Sequence, residues 1–115
     1  MNEKGDGMNV LFVCSRNRLR SPTAESVFRD WPGITVASAG LKPDAEEVVG
    51  PEDLEWADLV LVMEKRHRSE LTRRFMPSLR DTRIAVLGIP DDYDYMDPEL
   101  IGILQRTVPP YLPAR

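Results

Sequence analysis

The stretch FVCSRNRLRSPTAES, residues 12–26, joins the end of an apolar run to a segment with the features of a helix start. The run at residues 9–13 is short, apolar and β-branched, which predicts a buried strand. Ser21 is placed to cap the following helix, and Pro22 suits its first position. The stretch therefore predicts a strand, a loop and a helix in immediate succession, with Cys14 at the start of the loop.

The rest of the chain continues this alternation of strands and helices. Strands are predicted at residues 34–38, 57–63 and 83–87, helices at 22–31, 51–56, 65–76 and 98–108, and loops at 41–50 and 91–96. This order predicts an α/β fold, a single-domain four-stranded parallel sheet with helices on both faces. Ligands bind such sheets beyond the C-terminal ends of the strands, where Cys14, Ser38, Glu64 and Asp91 are expected to lie.

Length and hydropathy limit the class of protein. With 115 residues, the chain is expected to form one domain over residues 9–115, preceded by a flexible extension at residues 1–8. No segment has the roughly 20 consecutive apolar residues of a membrane span, and the N-terminus lacks the apolar region of a signal peptide. Neither a membrane protein nor a secreted protein is expected.

Cys14 and His67 are the only residues of their kinds. A single cysteine excludes an internal disulfide and a cysteine-rich metal site, so no metal or cofactor is predicted and a cytoplasmic location is expected. The net charge of −4 argues against a nucleic-acid partner. His67 lies in the basic segment 65–83, interpreted as a solvated helix face, and is expected at the surface.

Five residues separate Cys14 from Arg20, and Ser21 follows at once. A loop curled between a strand and a helix N-terminus points backbone N–H groups inward and forms a cradle for an anion. Arg20 can close this cradle with a bidentate guanidinium, and the positive potential favours the thiolate form of the cysteine. A thiolate facing a bound phosphate is placed for in-line attack on phosphorus, and Ser21 can hydrogen-bond the sulfur. Taken alone, a cysteine after an apolar strand is more often a small buried side chain.

An acidic cluster at residues 91–97 offers a proton donor for such a reaction. A phenolate leaving group has a conjugate acid with a pKa of about 10, so a general acid should speed its departure. Asp91, Asp92, Asp94 and Asp97 are the candidates, and Asp97 before Pro98 also has the pattern of a helix cap.

Four motifs resemble those of the low-molecular-weight protein tyrosine phosphatases, in the same order along residues 9–112. C-x5-R-S-P-T-A-E, which begins at Cys14, is similar to the phosphate loop of that family. VASAG at 36–40 is similar to the S-A-G after its second strand, and PEDLEWADLVLVME at 51–64 to its third strand and approach. IPDDY at 89–93 is similar to its I-P-D-P-Y.

The resemblance implies a flavodoxin-like three-layer fold and a phosphotyrosine phosphatase that needs no cofactor. Cys14 would be the nucleophile and Arg20 the phosphate clamp. Asn17 would take the left-handed backbone conformation of a tight loop, supported by Ser38, and Ser21 would bond the thiolate. The phosphate-binding loop would comprise Ser15, Arg16, Asn17, Arg18, Leu19, Arg20 and Ser21.

The same resemblance favours Asp91 as the general acid, with Asp92 and Asp97 as alternatives, and places Tyr93 beside the substrate. It implies a phosphotyrosine protein or a small aryl phosphate as substrate, and a phosphate or sulfate ion as a ligand of the loop.

The chain also departs from the family pattern. Arg16 stands where the family usually has glycine, and Leu19 where many members have a second cysteine, so an oxidised Cys14 could not be protected as a disulfide. Arg16 and Arg18 would either be solvated or select substrates with acidic residues near the phosphotyrosine. Residues 41–50 replace a longer segment that usually includes a helix.

Three other functions are compatible with part of the pattern. A phosphate-binding module would bind a phosphoprotein without turnover. An arsenate reductase of the same fold would need a relay of cysteines that a single cysteine cannot provide within the chain. A phosphocarrier of the enzyme IIB type would need neither Arg20 nor a late acid.

Overall fold

The computed structural model describes residues 7–114. Its strands are β1 (Met8–Cys14), β2 (Ile34–Gly40), β3 (Leu59–Val62) and β4 (Arg83–Val86), and its helices are α1 (Arg20–Phe28), α2 (Pro51–Trp56), α3 (Lys65–Phe75) and α4 (Pro98–Thr107). Short 3-10 helices follow α3 at Met76–Leu79 and α4 at Pro109–Tyr111. The strands form one parallel sheet in the order β2-β1-β3-β4, so the predicted four-stranded parallel α/β fold is confirmed.

Strand β1 shows how the sequence builds the two faces of the sheet. Side chains alternate along a strand, so Val10 and Phe12 face one side while Leu11 and Val13 face the other. The first pair packs in a core with residues of α1 and α4, and the second in a core with residues of α2 and α3. All four side chains are at most 1% exposed, as expected for a central parallel strand covered on both faces. The layers are therefore helix, sheet and helix.

The strand order also determines where a ligand can bind. The chain runs from β1 outward to β2 and then returns to the other side of β1 to form β3. Connections that leave neighbouring parallel strands toward opposite faces open a crevice at the C-terminal ends of those strands. That crevice lies between the loop after β1 and the start of α3.

Several element boundaries differ from the predicted ones. Met8, assigned from sequence to the N-terminal extension, is the first residue of β1, and residues 1–6 of that extension lie outside the described residues. The predicted cap at Ser21 is wrong, because α1 begins at Arg20 and its N-cap, Leu19, makes no side-chain capping bond. The predicted strand at residues 57–63 is shorter than expected at both ends: it runs from Leu59 to Val62, and Ala57 is the C-cap of α2.

None of the helices between residues 7 and 114 has the length and apolar character needed to cross a bilayer.

Candidate active site

Cys14 is the last residue of β1, and its side chain is only 3% exposed. Its Sγ atom lies 2.9 Å from the Oγ of Ser21 and accepts a hydrogen bond of 3.2 Å from the backbone N–H of Asn17. The loop after β1 therefore curls back so that one of its own N–H groups points at the sulfur. The backbone N–H of Asn17 and the hydroxyl of Ser21 therefore both lie within hydrogen-bond distance of the sulfur.

The side chain of Asn17 organises this curl. Its φ angle of 55° is in the left-handed region, which asparagine tolerates better than most residues. Its Nδ2 donates to the hydroxyl oxygens of Ser21 and Ser38, both at 2.9 Å, and its Oδ1 accepts from the N–H of Glu47 at 3.1 Å. Ser38 in turn donates to Glu25. Because the Ser21 oxygen already accepts from Asn17, its own proton is free to be donated to Cys14.

The loop leaves several backbone donors available. Within residues 7–114, no protein atom accepts a hydrogen bond from the N–H groups of Ser15, Arg16, Arg18 or Leu19. The loop joins a parallel strand to the N-terminus of α1, where the helix dipole adds positive potential. Free N–H groups at a helix N-terminus suit an anion such as phosphate.

Arg20 is the first residue of α1, and its side chain is 2% exposed. A buried guanidinium needs a counter-charge, and Nη1 donates both to the carboxylate of Glu64 and, at 2.7 Å, to the carbonyl oxygen of Ile89. Nε lies 3.7 Å from a carboxylate oxygen of Asp91. Among the described residues nothing accepts a hydrogen bond from Nη2, so one edge of the guanidinium remains able to bind an anion.

Glu64 follows β3 and has no assigned role in the sequence-based prediction. It accepts hydrogen bonds from Arg66 and from Arg20, which lower the pKa of Glu64 to about 2 against the opposing effect of burial. It is therefore ionised at neutral pH and balances the charge of the buried guanidinium. A buried arginine needs a carboxylate nearby, and Glu64 was expected at the same edge of the sheet. That requirement could have identified Glu64 from the sequence.

The prediction that His67 lies at the surface is wrong: the side chain is 1% exposed. Its Nδ1 accepts a hydrogen bond of 3.1 Å from the backbone N–H of Glu64, so the ring proton is on Nε2. Nε2 lies 3.1 Å from the Oγ of Ser15, the residue after Cys14. Burial and the nearby charges of Arg20 and Arg66 lower the pKa of His67 to about 4, so the imidazole is neutral at pH 7.

The candidate acids occupy different environments. Asp91 is 57% exposed and, through its contact with Arg20, lies at the edge of the loop. Asp97 caps α4 and accepts a hydrogen bond of 2.8 Å from the N–H of Glu99. Asp92 is exposed, and no described residue forms a hydrogen bond or ion pair with its carboxylate. Asp91 alone combines an accessible carboxylate with a contact to a loop side chain.

Two tyrosines follow the acids. Tyr93, predicted to flank the substrate, is half-buried and packs against the core beneath α1 and α4, and burial together with Glu99 raises its pKa. Tyr95 is 52% exposed, with its hydroxyl 3.3 Å from that of Ser26. It borders a groove of about 800 Å³ that also touches Asn17 and Arg18, so Tyr95 is the more accessible ring beside the loop.

Residues 41–50 run along the outside of the phosphate-binding loop. Leu41 N–H donates to the carbonyl of Cys14, Lys42 N–H to that of Ser15, and Glu46 N–H to that of Arg16, at 2.8–3.1 Å. The short segment therefore supports the backbone of the loop directly.

Arg16 and Arg18 extend from the loop toward this segment. Both are exposed, and both lie within ion-pair distance of Asp44, while Arg18 is also 3.7 Å from Glu46. The two arginines are therefore neither fully solvated nor unpaired, and their charges are partly balanced.

No group of three His, Cys, Asp or Glu side chains in the described part of the chain is arranged to hold a metal ion.

No protein-family model matches this chain. Comparisons of its sequence and of its fold with known proteins both find low-molecular-weight phosphatases and their structural relatives. The chain is 34% identical over 115 residues to the low molecular weight protein-tyrosine-phosphatase Wzb of Salmonella typhi, a match that covers 73% of this chain and 76% of that protein. The tyrosine phosphatase Wzb of Escherichia coli K30, solved with phosphate, superposes with a TM-score of 0.71 at 21% identity, over 88% of this chain and 93% of that one. The YwlE arginine phosphatase of Geobacillus stearothermophilus superposes with a TM-score of 0.68 at 23% identity, over 86% and 89% of the two chains. The two structures share the fold, and the sequence match with Wzb extends over most of both proteins, so the chain belongs to the low-molecular-weight protein-tyrosine-phosphatase family.

Proposed function

We propose that this protein is a phosphotyrosine phosphatase in which Cys14 forms a cysteinyl-phosphate intermediate, Arg20 binds the transferred phosphoryl group and Asp91 is the general acid. The observation that carries the proposal is the position of the Cys14 sulfur. It lies at the base of a loop closed by a buried arginine and receives hydrogen bonds from Ser21 and from Asn17 N–H. A cysteine kept only for packing has no need of these donors.

Binding comes first. The phosphate group of the substrate would accept hydrogen bonds from the free N–H groups of the loop and from the open edge of Arg20. These donors are already in place, so binding requires little reordering of the loop. The groove beside Asn17 and Tyr95 would hold the peptide that carries the phosphotyrosine.

In the first chemical step the Cys14 thiolate attacks phosphorus, forming the S–P bond as the bond to the phenolic oxygen breaks. Asp91 gives its proton to that oxygen, so tyrosine leaves as a neutral phenol. In the second step the Asp91 carboxylate takes a proton from water, the water oxygen bonds to phosphorus and the S–P bond breaks. Ser21 donates its hydrogen bond to the departing thiolate, and inorganic phosphate is released. General acid–base catalysis of this kind typically contributes about 10²–10⁴ in rate.

The substrate class follows from the chemistry of the site. An accessible carboxylate beside the loop is useful for a basic leaving group such as a phenolate, which favours a phosphotyrosine protein or a small aryl phosphate. The net charge of −4 disfavours a nucleic-acid substrate. We place the reaction in the cytoplasm, where the lone cysteine would stay reduced.

Hydrolysis of p-nitrophenyl phosphate and of a phosphotyrosine peptide by the wild type and by Cys14→Ser tests the proposal. The wild type should turn over both, and a phosphocysteine adduct should be detected by mass spectrometry after rapid acid quenching. Cys14→Ser, purified in the same way, should be inactive yet bind the phosphopeptide, because serine keeps the loop and lacks the thiolate.

Two outcomes would reject the proposal. If the wild type binds the phosphopeptide but does not hydrolyse it, the protein is a phosphate-binding module. If phosphoarginine is hydrolysed much faster than phosphotyrosine, the substrate class is wrong.

A further inference from the structure

His67 occupies a position that the proposed reaction does not use. It is the third residue of α3, and its ring lies between the backbone of Glu64 and the side chain of Ser15. Ser15 is the first residue after the nucleophile in the chain. The imidazole therefore connects the C-terminal ends of the two central strands, β1 and β3, on either side of the crevice.

The two ring nitrogens of His67 make different hydrogen bonds. Nδ1 accepts the N–H of Glu64 and takes the place of the glutamate or glutamine in a capping box, which holds the ring in one orientation. Nε2 is then the protonated nitrogen and donates to Ser15. The ring makes no contact with Cys14 within hydrogen-bond distance, so it can influence the reaction only through the loop.

The groups around the imidazole keep it in the neutral form that these two hydrogen bonds require. An imidazolium has two N–H groups and no acceptor, so protonation would break the bond from Glu64 N–H. Burial and the charges of Arg20 and Arg66 lower the pKa of the ring to about 4, and Glu64 and Glu70, which also face it, act in the opposite direction. The donor to Ser15 is thus present throughout the neutral pH range.

We propose that His67 is a positioning residue: its Nε2–H bond to Ser15 holds the first residue of the phosphate-binding loop in the conformation that binds phosphate. The proposal rests on the proposed function, because it assigns the loop to phosphate. Ser15 carries one of the loop's free N–H groups, so a rotation of its backbone would turn that donor away from the anion. The bond from Glu64 fixes the ring, and the bond to Ser15 transmits that orientation to the loop.

Asparagine and glutamine separate the two contacts of the ring. In His67→Asn the amide oxygen can replace Nδ1 and accept from Glu64, but nothing reaches Ser15. In His67→Gln the longer side chain can place its amide N–H near the position of Nε2 and donate to Ser15. Ser15→Ala removes the same bond from the other side and leaves the buried ring in place, so it tests the proposal even if a His67 variant folds poorly.

The measurement is the inhibition constant of inorganic phosphate, with kcat, KM and the melting temperature of each variant. Ser15→Ala and His67→Asn should each raise the inhibition constant and KM about fivefold, the size expected for one hydrogen bond. His67→Gln should stay within about twofold of the wild type. The double variant Ser15→Ala/His67→Asn should be no weaker than either single one, because both remove the same bond.

The inference fails if Ser15→Ala and His67→Asn bind phosphate as tightly as the wild type, or if their effects add. A role in folding alone would lower the melting temperature and the active fraction, and so kcat, without changing the inhibition constant. A wild type that neither binds phosphate nor hydrolyses the aryl phosphate would instead reject the proposed function.

Discussion

The hydroxyl oxygen of Ser21 lies 2.9 Å from the sulfur of Cys14, seven residues earlier in the chain. The same oxygen accepts a hydrogen bond from Asn17, which leaves the hydroxyl proton for the sulfur. A hydrogen bond to the charged form of an acid stabilises that form. In the proposed reaction the thiolate is both the attacking group and, after hydrolysis, the departing group, so Ser21 acts on two steps.

Ser21→Ala should therefore lower kcat for p-nitrophenyl phosphate by about tenfold or more, because hydrogen bonds to charged groups are the stronger ones. Slow departure of the thiolate should appear as a burst of nitrophenol in stopped-flow measurements. Ser78→Ala is the control, since that hydroxyl donates to Glu55, far from the loop. Wild-type kcat in Ser21→Ala would show that Ser21 only supports the loop.

Asp91→Asn should lower kcat for a phosphotyrosine peptide by about 10²–10⁴, the usual contribution of a general acid. The loss should be much smaller for a dinitrophenyl phosphate, whose leaving group needs no proton. The Asp91 carboxylate lies 3.7 Å from Nε of Arg20, so a change in KM is also expected. If Asp92→Asn shows this dependence on the leaving group and Asp91→Asn does not, the general acid is Asp92.

Asp97→Ala should affect stability rather than chemistry. Its carboxylate caps α4 through the N–H of Glu99, and loss of such a cap typically costs about 1 kcal/mol. Chemical unfolding should show that decrease while kcat per folded molecule stays unchanged. A loss of kcat that depends on the leaving group would instead identify Asp97 as the acid.

Local patterns were enough to predict the frame of the site. Alternation of apolar strands with helices specified a parallel sheet, and its C-terminal edge holds Cys14, Ser38, Glu64 and Asp91. The left-handed conformation of Asn17 was expected from the resemblance to the family's phosphate loop, and its φ of 55° agrees with that expectation. The sheet itself depends only on residue type and spacing along short segments.

Contacts between distant segments could not be predicted in that way. His67 and Ser15 are 52 positions apart, and only the pairing of β1 with β3 brings them together. The charged residues around His67 have the composition of a solvated helix, so the pattern indicated an exposed ring. The predicted cap at Ser21 failed because its hydroxyl bonds to Cys14 and Asn17, and the helix begins at Arg20, two residues before the predicted start at Pro22.

Gly40→Ala should disrupt the loop. A Cβ atom at this position would lie 2.7 Å from that of Ala45 and 2.9 Å from backbone atoms of Arg16 and Asn17, which cannot move independently. We expect destabilisation of about 1–3 kcal/mol and at least a tenfold loss of phosphatase activity. Gly102→Ala is the matched control, because its new Cβ meets only the end of Arg106 at 3.6 Å and alanine favours the helix. Equal activity of the two variants would contradict the close packing of β2 against the loop.

The double change Asp44→Asn/Glu46→Gln should release Arg16 and Arg18 from their ion pairs. The ratio of kcat/KM for a peptide with an acidic residue beside the phosphotyrosine to that for a neutral peptide should rise about two- to threefold. The effect should disappear at high salt, because all four side chains are exposed. The double change Asp30→Asn/Asp81→Asn, in the turns before β2 and β4, removes the same two negative charges elsewhere and controls for net charge. An unchanged ratio at low salt would mean that the two arginines do not contact the substrate.

The stability of the protein should fall as the pH drops, first through the range in which His67 titrates and then, below pH 4.5, through that of Glu64. The pKa of His67 is about 4 in the folded chain against an ordinary value of 6.5, so between these values the unfolded chain binds the extra proton and folding is penalised. The penalty grows as the pH falls from 6.5 to 4 and reaches at most about 3 kcal/mol. Glu64, whose pKa is about 2 instead of 4.5, adds its own loss of stability only below pH 4.5.

Urea unfolding at pH 7, 5.5 and 4.5 should therefore show a decrease in the free energy of unfolding of the wild type. The decrease should be much smaller in His67→Gln, which has no imidazole to protonate. Parallel decreases in both proteins would mean that the buried ring does not control stability in this range, because Gln cannot titrate and only the histidine distinguishes the two chains.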